Sequence, residues 1–108
     1  MPTAPRLVFV TAPDRETARS LARGLVEARL AACANLIEGV TSVYRWQGAV
    51  EEEAEVLLVI KTTADRVAAL ERRLADEHPY DVPECVAVEP ASVEARYLAW
   101  LREQTADA

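Results

Sequence analysis

The stretch ARLAACANLIEGVTSVYRWQG, residues 28–48, decides the fold. It opens as the end of an amphipathic helix, passes through a small-residue run around Cys33 and Asn35, and becomes an extended ribbon carrying Val40, Val43, Tyr44 and Trp46. A helix needs apolar residues returning every three or four positions, whereas β-branched and aromatic residues at this density fit a pleated surface. The ribbon therefore reads as a long strand. Gly48 offers a turn, and residues 51–62 begin acidic and turn fully apolar at 56–60. Two strands thus fold back on each other across residues 47–50. A long exposed hairpin of this kind invites a partner.

Upstream of the ribbon, Leu7, Val8, Phe9 and Val10 form a short apolar run bounded by Pro5 and Pro13, which reads as a first strand. Asp14 is placed to cap a helix, Glu16 favours the positive end of its dipole, and Ala18, Leu21, Ala22, Leu25 and Val26 recur on one face. Gly24 interrupts this helix at a cost of about 1 kcal/mol relative to Ala, unless something packs closely there. Downstream of the hairpin, Thr63 or Asp65 caps a second helix whose buried side is Val67, Leu70 and Leu74. Pro79 ends it by His78, because the residue before a proline is pushed out of the α region. Residues 80–83 read as a loop and residues 84–89 as the last strand, ended by Pro90. Ser92 is expected to cap a terminal helix carrying Val93, Tyr97, Trp100 and Leu101, with the tail frayed from Glu103 on.

The 108 residues make one domain, 1–108, long enough to bury about 65% of its unfolded surface in a single core. Eighteen acidic against twelve basic residues give a net charge of −6, which repels phosphate backbones and excludes a nucleic-acid partner. Cys33 and Cys85 have no close metal-type spacing and read as reduced, largely buried thiols of a cytoplasmic protein, with neither signal peptide nor membrane span.

The order strand, helix, strand, strand, helix, strand, helix is a split βαβ pattern. It gives an α+β, ferredoxin-like βαββαβ sandwich: a four-stranded antiparallel sheet with helices on one face, a long β2-β3 hairpin and a C-terminal helix. Strands covered on one face should alternate apolar and polar residues, yet residues 7–10 and 56–60 are apolar throughout. The second face must also be covered, and self-association through the hairpin edges is the simplest cover.

Four motifs in order then carry a resemblance across most of the chain. They are Leu30-Ala31-Ala32-Cys33-Ala34-Asn35, Ser42-Val43-Tyr44-Arg45-Trp46-Gln47-Gly48, the run from Glu55 through Lys61-Thr62, and His78-Pro79-Tyr80-Asp81-Val82-Pro83-Glu84. Together they resemble the CutA divalent-cation tolerance proteins. The resemblance implies a tight homotrimer whose sheets meet inside, with hairpins exchanged between neighbours. It also implies tolerance of copper and other divalent ions, copper binding, and a shape similar to the trimeric PII-type signalling proteins. Some members of the family carry a Cys where Val10 stands here and a second His where Glu77 stands, and this chain lacks both donors.

One His and two Cys are a poor supply of soft donors, so His78 and Cys33 are the metal candidates for a possible copper or other divalent cation, and no cofactor is required. The competing reading makes His78 a helix-end residue near the last carbonyls and Cys33 a small buried hydrophobe. A second constellation, Asn35, Tyr44, Trp46, Glu55, Lys61 and Tyr80, supplies ligand or interface candidates: aromatic walls plus one cation suit a small anionic molecule in an intersubunit cleft. Lys61 follows an apolar strand and needs a partner such as Glu55 or Glu84. The acidic run at residues 51–53 reads as a solvated hairpin tip, where hard cations could gather weakly but nothing fixes a coordination geometry. No nucleophile with a positioned base and no glycine-rich phosphate loop is present, which points away from an enzyme. The function expected is that of a trimeric, non-catalytic cation-tolerance protein with weak or intersubunit metal binding. The alternative is a PII-like signalling or scaffold protein that binds a small anionic ligand or a protein partner.

Overall fold

The computed structural model describes residues 2–107. In chain order it holds β1 (Pro5–Ala12), α1 (Arg15–Glu27), β2 (Cys33–Trp46), β3 (Ala49–Thr63), a 3₁₀ turn (Ala64–Arg66), α2 (Val67–Glu77), β4 (Val86–Val88) and α3 (Ala95–Thr105). The four strands form one antiparallel-paired sheet in the order β2-β3-β1-β4, the split βαβ arrangement expected from the sequence. Phe9 is paired to Val59 on one side and Val86 on the other.

The pleat separates two faces. Val8, Val10 and Ala12 of β1 and Val56, Leu58 and Ile60 of β3 point to one side, where Ala18, Leu21, Ala22 and Leu25 of α1 and Leu70 and Leu74 of α2 close over them. Burying each of these Val or Leu side chains contributes about 1.5–3 kcal/mol. Leu7, Phe9, Leu57 and Val59 point to the other side and are only half-buried, with Ile37 and Val86 exposed. α3 covers one end of this second face, where Thr105 Oγ1 lies 3.4 Å from Thr63 Oγ1 and Leu101 is buried. The helices are therefore not confined to one face, because α3 crosses to the other.

Local chemistry explains most boundaries. Asp14 Oδ1 accepts from the Thr17 amide at 2.7 Å and caps α1. α2 stops at Glu77, and His78 before Pro79 is extended, with φ −75° and ψ 137°. The hairpin is tighter than expected: Trp46 pairs with Ala49, leaving Gln47 and Gly48 as a two-residue turn with φ of 49° and 81°. Both central residues at positive φ match the right-handed strand twist. Thr63 bonds Asp65 rather than a helix amide, so α2 begins without a side-chain cap. Ser92 is not the cap of α3. Glu94 takes that place, accepting from the Arg96 and Tyr97 amides. Residues 103–107 are held rather than frayed, since Arg66 binds the Thr105 carbonyl and Asp107, and Arg29 binds the carbonyls of Glu103 and Gln104. Gly24 has a packing reason: a Cβ there would lie 3.1 Å from Arg73 Nη2, a guanidinium that Glu77 holds over the helix. Cys85 precedes the short β4, and both cysteines are free and only partly buried.

Candidate functional site

β1 ends at Ala12, opposite Val56, so from Ala49 to Glu55 β3 is paired only with β2 and its other edge lies open. Within this ribbon a bulge changes which residues share a face. Glu38 and Gly39 of β2 stand against the single residue Val56, and Gly39 takes φ +82°. Before the bulge Cys33, Asn35 and Ile37 lie beside Lys61, Val59 and Leu57. After it Val40, Ser42, Tyr44 and Trp46 lie beside Glu55, Glu53, Glu51 and Ala49. The bulge thus turns Tyr44 and Trp46 onto the face that carries Glu51, Glu53 and Glu55.

The loop after α2 folds against that face. His78 is buried with 7% of its surface exposed, its Nε2 donating to the Thr11 carbonyl at 2.8 Å and its Nδ1 accepting from the Tyr80 amide at 3.1 Å. Both ring nitrogens are thereby engaged, which fixes the neutral tautomer with its proton on Nε2. The Tyr80 ring stacks obliquely on His78, and its hydroxyl donates to Glu55 Oε2 at 2.8 Å. Across the ribbon Tyr44 donates to Glu53 at 3.1 Å.

Between hairpin and loop lies a cleft of ≈ 680 Å³ whose walls include Tyr44, Trp46, Tyr80 and Thr11 and whose ionisable groups, apart from the tyrosines, are Glu51, Glu53, Glu55, Asp81 and Glu84. No Lys, Arg or His lines it. Crowding is felt by its members. Burial first and Glu55 second push the Glu84 carboxyl up, and burial followed by the bond to Glu55 pushes the Tyr80 hydroxyl up. Tyr44 is raised for the same two reasons, with Glu53 as its partner. The cleft suits a cation, although among the described residues no group of three His, Cys, Asp or Glu side chains is arranged to hold a metal ion.

The structure divides the residues singled out from sequence. Tyr44, Trp46, Glu55 and Tyr80 come together in the cleft, and His78 stands behind Tyr80. Lys61, Asn35 and Cys33 gather elsewhere, about 20 Å along β3 from Glu55 at the usual strand rise. The expectation that Lys61 pairs with Glu55 or Glu84 is corrected: its ammonium donates to Asn35 Oδ1 and, at 3.9 Å, to Cys33 Sγ. Sequence reasoning missed Glu51, Glu53, Asp81 and Glu84 as cleft residues. The alternation Glu51, Glu53, Glu55 in a strand was the available signal, since a period of two sets all three on one face.

With the geometry in place, the chain can be set beside known proteins. The family model described as CutA1 divalent ion tolerance protein matches residues 6–104. The chain belongs to this family. The "Divalent-cation tolerance protein CutA" of Thermus thermophilus is 50% identical over 99 residues, covering 92% of this chain and 96% of its own. A solved structure of the divalent cation tolerance protein from that organism superposes with a TM-score of 0.92 at 49% identity, over 94% of this chain and 99% of the other. Human "Protein CutA" is 43% identical over 97% of this chain, which spans 59% of the human protein's length. No described helix is long and apolar enough to cross a membrane.

Proposed function

We propose that this chain is a homotrimeric, non-catalytic divalent-cation tolerance protein that holds its cations weakly, in the acidic cleft, with neighbouring subunits completing the site. The observation that carries the reading is the cleft's lining of Glu51, Glu53, Glu55, Asp81 and Glu84 with no cationic side chain among them. Uncompensated carboxylates raise the local concentration of divalent ions. Among first-row ions Cu(II) binds a given oxygen or nitrogen donor set most tightly, so copper is the ion expected to fill it first. An anionic ligand of the PII-like kind would meet the same carboxylates and be repelled. The one imidazole, with both nitrogens engaged, has no free lone pair to act as a base, which supports a role without catalysis.

Trimer formation is supported by three features that a lone subunit leaves uncovered: the half-buried second face, the open edge of β3, and Val43, Trp46 and Val50 exposed along the hairpin. Two free thiols favour a reducing, cytoplasmic setting. Light scattering after size exclusion should give the mass of three chains at micromolar concentration, and Val43→Asp, which sets a charge on the exposed hairpin, should break the assembly while the monomer keeps its circular dichroism. Calorimetric titration with Cu(II) should then find weak binding that competing Mg(II) displaces poorly. A monomer in the first experiment or no heat in the second overturns the corresponding half of the proposal.

A further inference from the structure

At the end of the second face lies a reactive pair that the cleft leaves unused. Cys33 of β2 and Lys61 of β3 are direct cross-strand partners, a position in which Cβ atoms lie about 4.5–5.5 Å apart. Lys61 Nζ donates to Cys33 Sγ at 3.9 Å. Lys61 is the only lysine in the chain, and among the described residues it makes no ion pair with a carboxylate; its other bond is to Asn35 Oδ1, two positions along β2 from Cys33, so the nitrogen is shared between Asn35 and the sulfur at this end of the ribbon. Tyr97 of α3 is near enough for its hydroxyl to be pushed up by burial and then by the Cys33 sulfur. In the single subunit both Cys33 and Lys61 remain partly exposed.

The second cysteine differs in each respect. Burial, then Glu71 and Glu84, push the Cys85 thiol up to about 11, which keeps it from ionising. It also precedes β4, at the sheet edge opposite β2. Three strand spacings, about 14 Å, separate those edges, more than a disulfide spans. A sulfenic acid formed at Cys33 therefore finds no thiol in its own subunit, and the Lys61 nitrogen is the nucleophile beside it.

We infer that Cys33 and Lys61 are a modification site, joined under peroxide by a covalent Sγ–Nζ bond that staples β2 to β3. In the first step the Cys33 sulfur attacks hydrogen peroxide, the S–O bond forms, the O–O bond breaks, and one water leaves with the thiol proton. In the second step Lys61, having given its ammonium proton to solvent, attacks Sγ; the S–N bond forms, the S–O bond breaks, and a second water leaves with one amine proton. One peroxide is reduced to two waters, the sulfur is oxidised by two electrons, and Nζ keeps one hydrogen.

The test treats the folded full-length protein with a small excess of hydrogen peroxide, blocks free thiols, and digests the product for mass spectrometry. The expected product is a peptide pair joined through Cys33 and Lys61, lighter by two hydrogens than its separate parts and released by thiol reductant, while Cys85 stays open to alkylation after unfolding. In Lys61→Arg, which keeps the cation but not the amine, the cross-link is lost and Cys33 passes on to sulfinic acid. The proposal is overturned if wild-type protein accumulates sulfenic or sulfinic acid at Cys33 with Lys61 unmodified, or if both cysteines oxidise at the same rate.

Discussion

Tyr80 donates its hydroxyl to Glu55 Oε2 at 2.8 Å, and that bond ties the loop after α2 to the strand bearing the acidic row. Glu55 is 9% exposed, so its carboxylate depends on this donor more than its neighbours nearer the tip depend on theirs. Hydrogen bonds to charged groups contribute about 1.5–3 kcal/mol, and the partial exposure of Tyr80 sets this one at or below the lower end. Tyr80→Phe should therefore lower stability by about 1 kcal/mol, read as a lower urea midpoint at unchanged m-value. An unmoved midpoint would show that the loop is anchored by other contacts.

The same hydroxyl helps set the alkaline limit of the fold. Its folded pKa is raised, by burial first and by Glu55 next, so the native state holds a proton that the unfolded chain releases near pH 10. The contribution is complete below that pH and is lost as pH climbs toward the folded value. Cys85 adds a loss of the same sign, beginning near its unfolded value of about 8.5 and ending near its folded value of about 11. Melting temperature should fall in two overlapping stages above neutrality, and Tyr80→Phe should flatten the later one. A wild-type curve level up to the top of this range contradicts the linkage.

Gly24 offers a stability test at a site away from the cleft. Replacing it with Ala should gain nearly 1 kcal/mol of helix propensity, offset by moving the Arg73 guanidinium that lies 3.1 Å from the new Cβ. That group is the end of a flexible chain, so the shift is small, and the net gain should be positive but under 1 kcal/mol. In an Arg73→Ala background the gain should rise toward the full value. Equal gains in the two backgrounds would mean that Arg73 does not constrain the position.

How much of this was legible in the residues follows from which signals are local. The hairpin, α1 and the end of α2 at Pro79 follow from strand composition, helical spacing and proline geometry, all of which act within a few positions. The bulge at Gly39 was not legible, because a glycine in a strand has several uses and only pairing with β3 shows that Glu38 and Gly39 oppose one residue. α3 was misplaced for a related reason. Ser92 is the better cap by type, but the backbone enters the helix two residues later, where the Glu94 carboxylate reaches two amides. The cleft divides along the same line: Glu51, Glu53 and Glu55 form a readable alternation, whereas Asp81 and Glu84 join them only because the Tyr80 loop folds onto β3.

The final prediction separates the cleft from the two soft-donor candidates. Glu84 is pushed up by burial and by Glu55, so its charge at neutral pH opposes folding; its contribution is complete below the unfolded carboxylate range and is lost as pH rises through the raised value. A bound divalent cation would relieve that repulsion. Glu84→Gln should therefore raise the melting temperature of the metal-free protein while weakening Cu(II) binding severalfold, two effects that a merely surface carboxylate would not show together. Glu53→Gln should also weaken binding. His78→Ala should soften the loop by freeing the Tyr80 amide, and Cys33→Ala should leave the cleft untouched, so both should keep most of the affinity. Binding should fade as pH drops into the carboxylate range, since protons then compete for the oxygens. Should Cu(II) affinity vanish in His78→Ala or Cys33→Ala and survive both glutamine substitutions, the cation is held by soft donors, and the cleft is not its site.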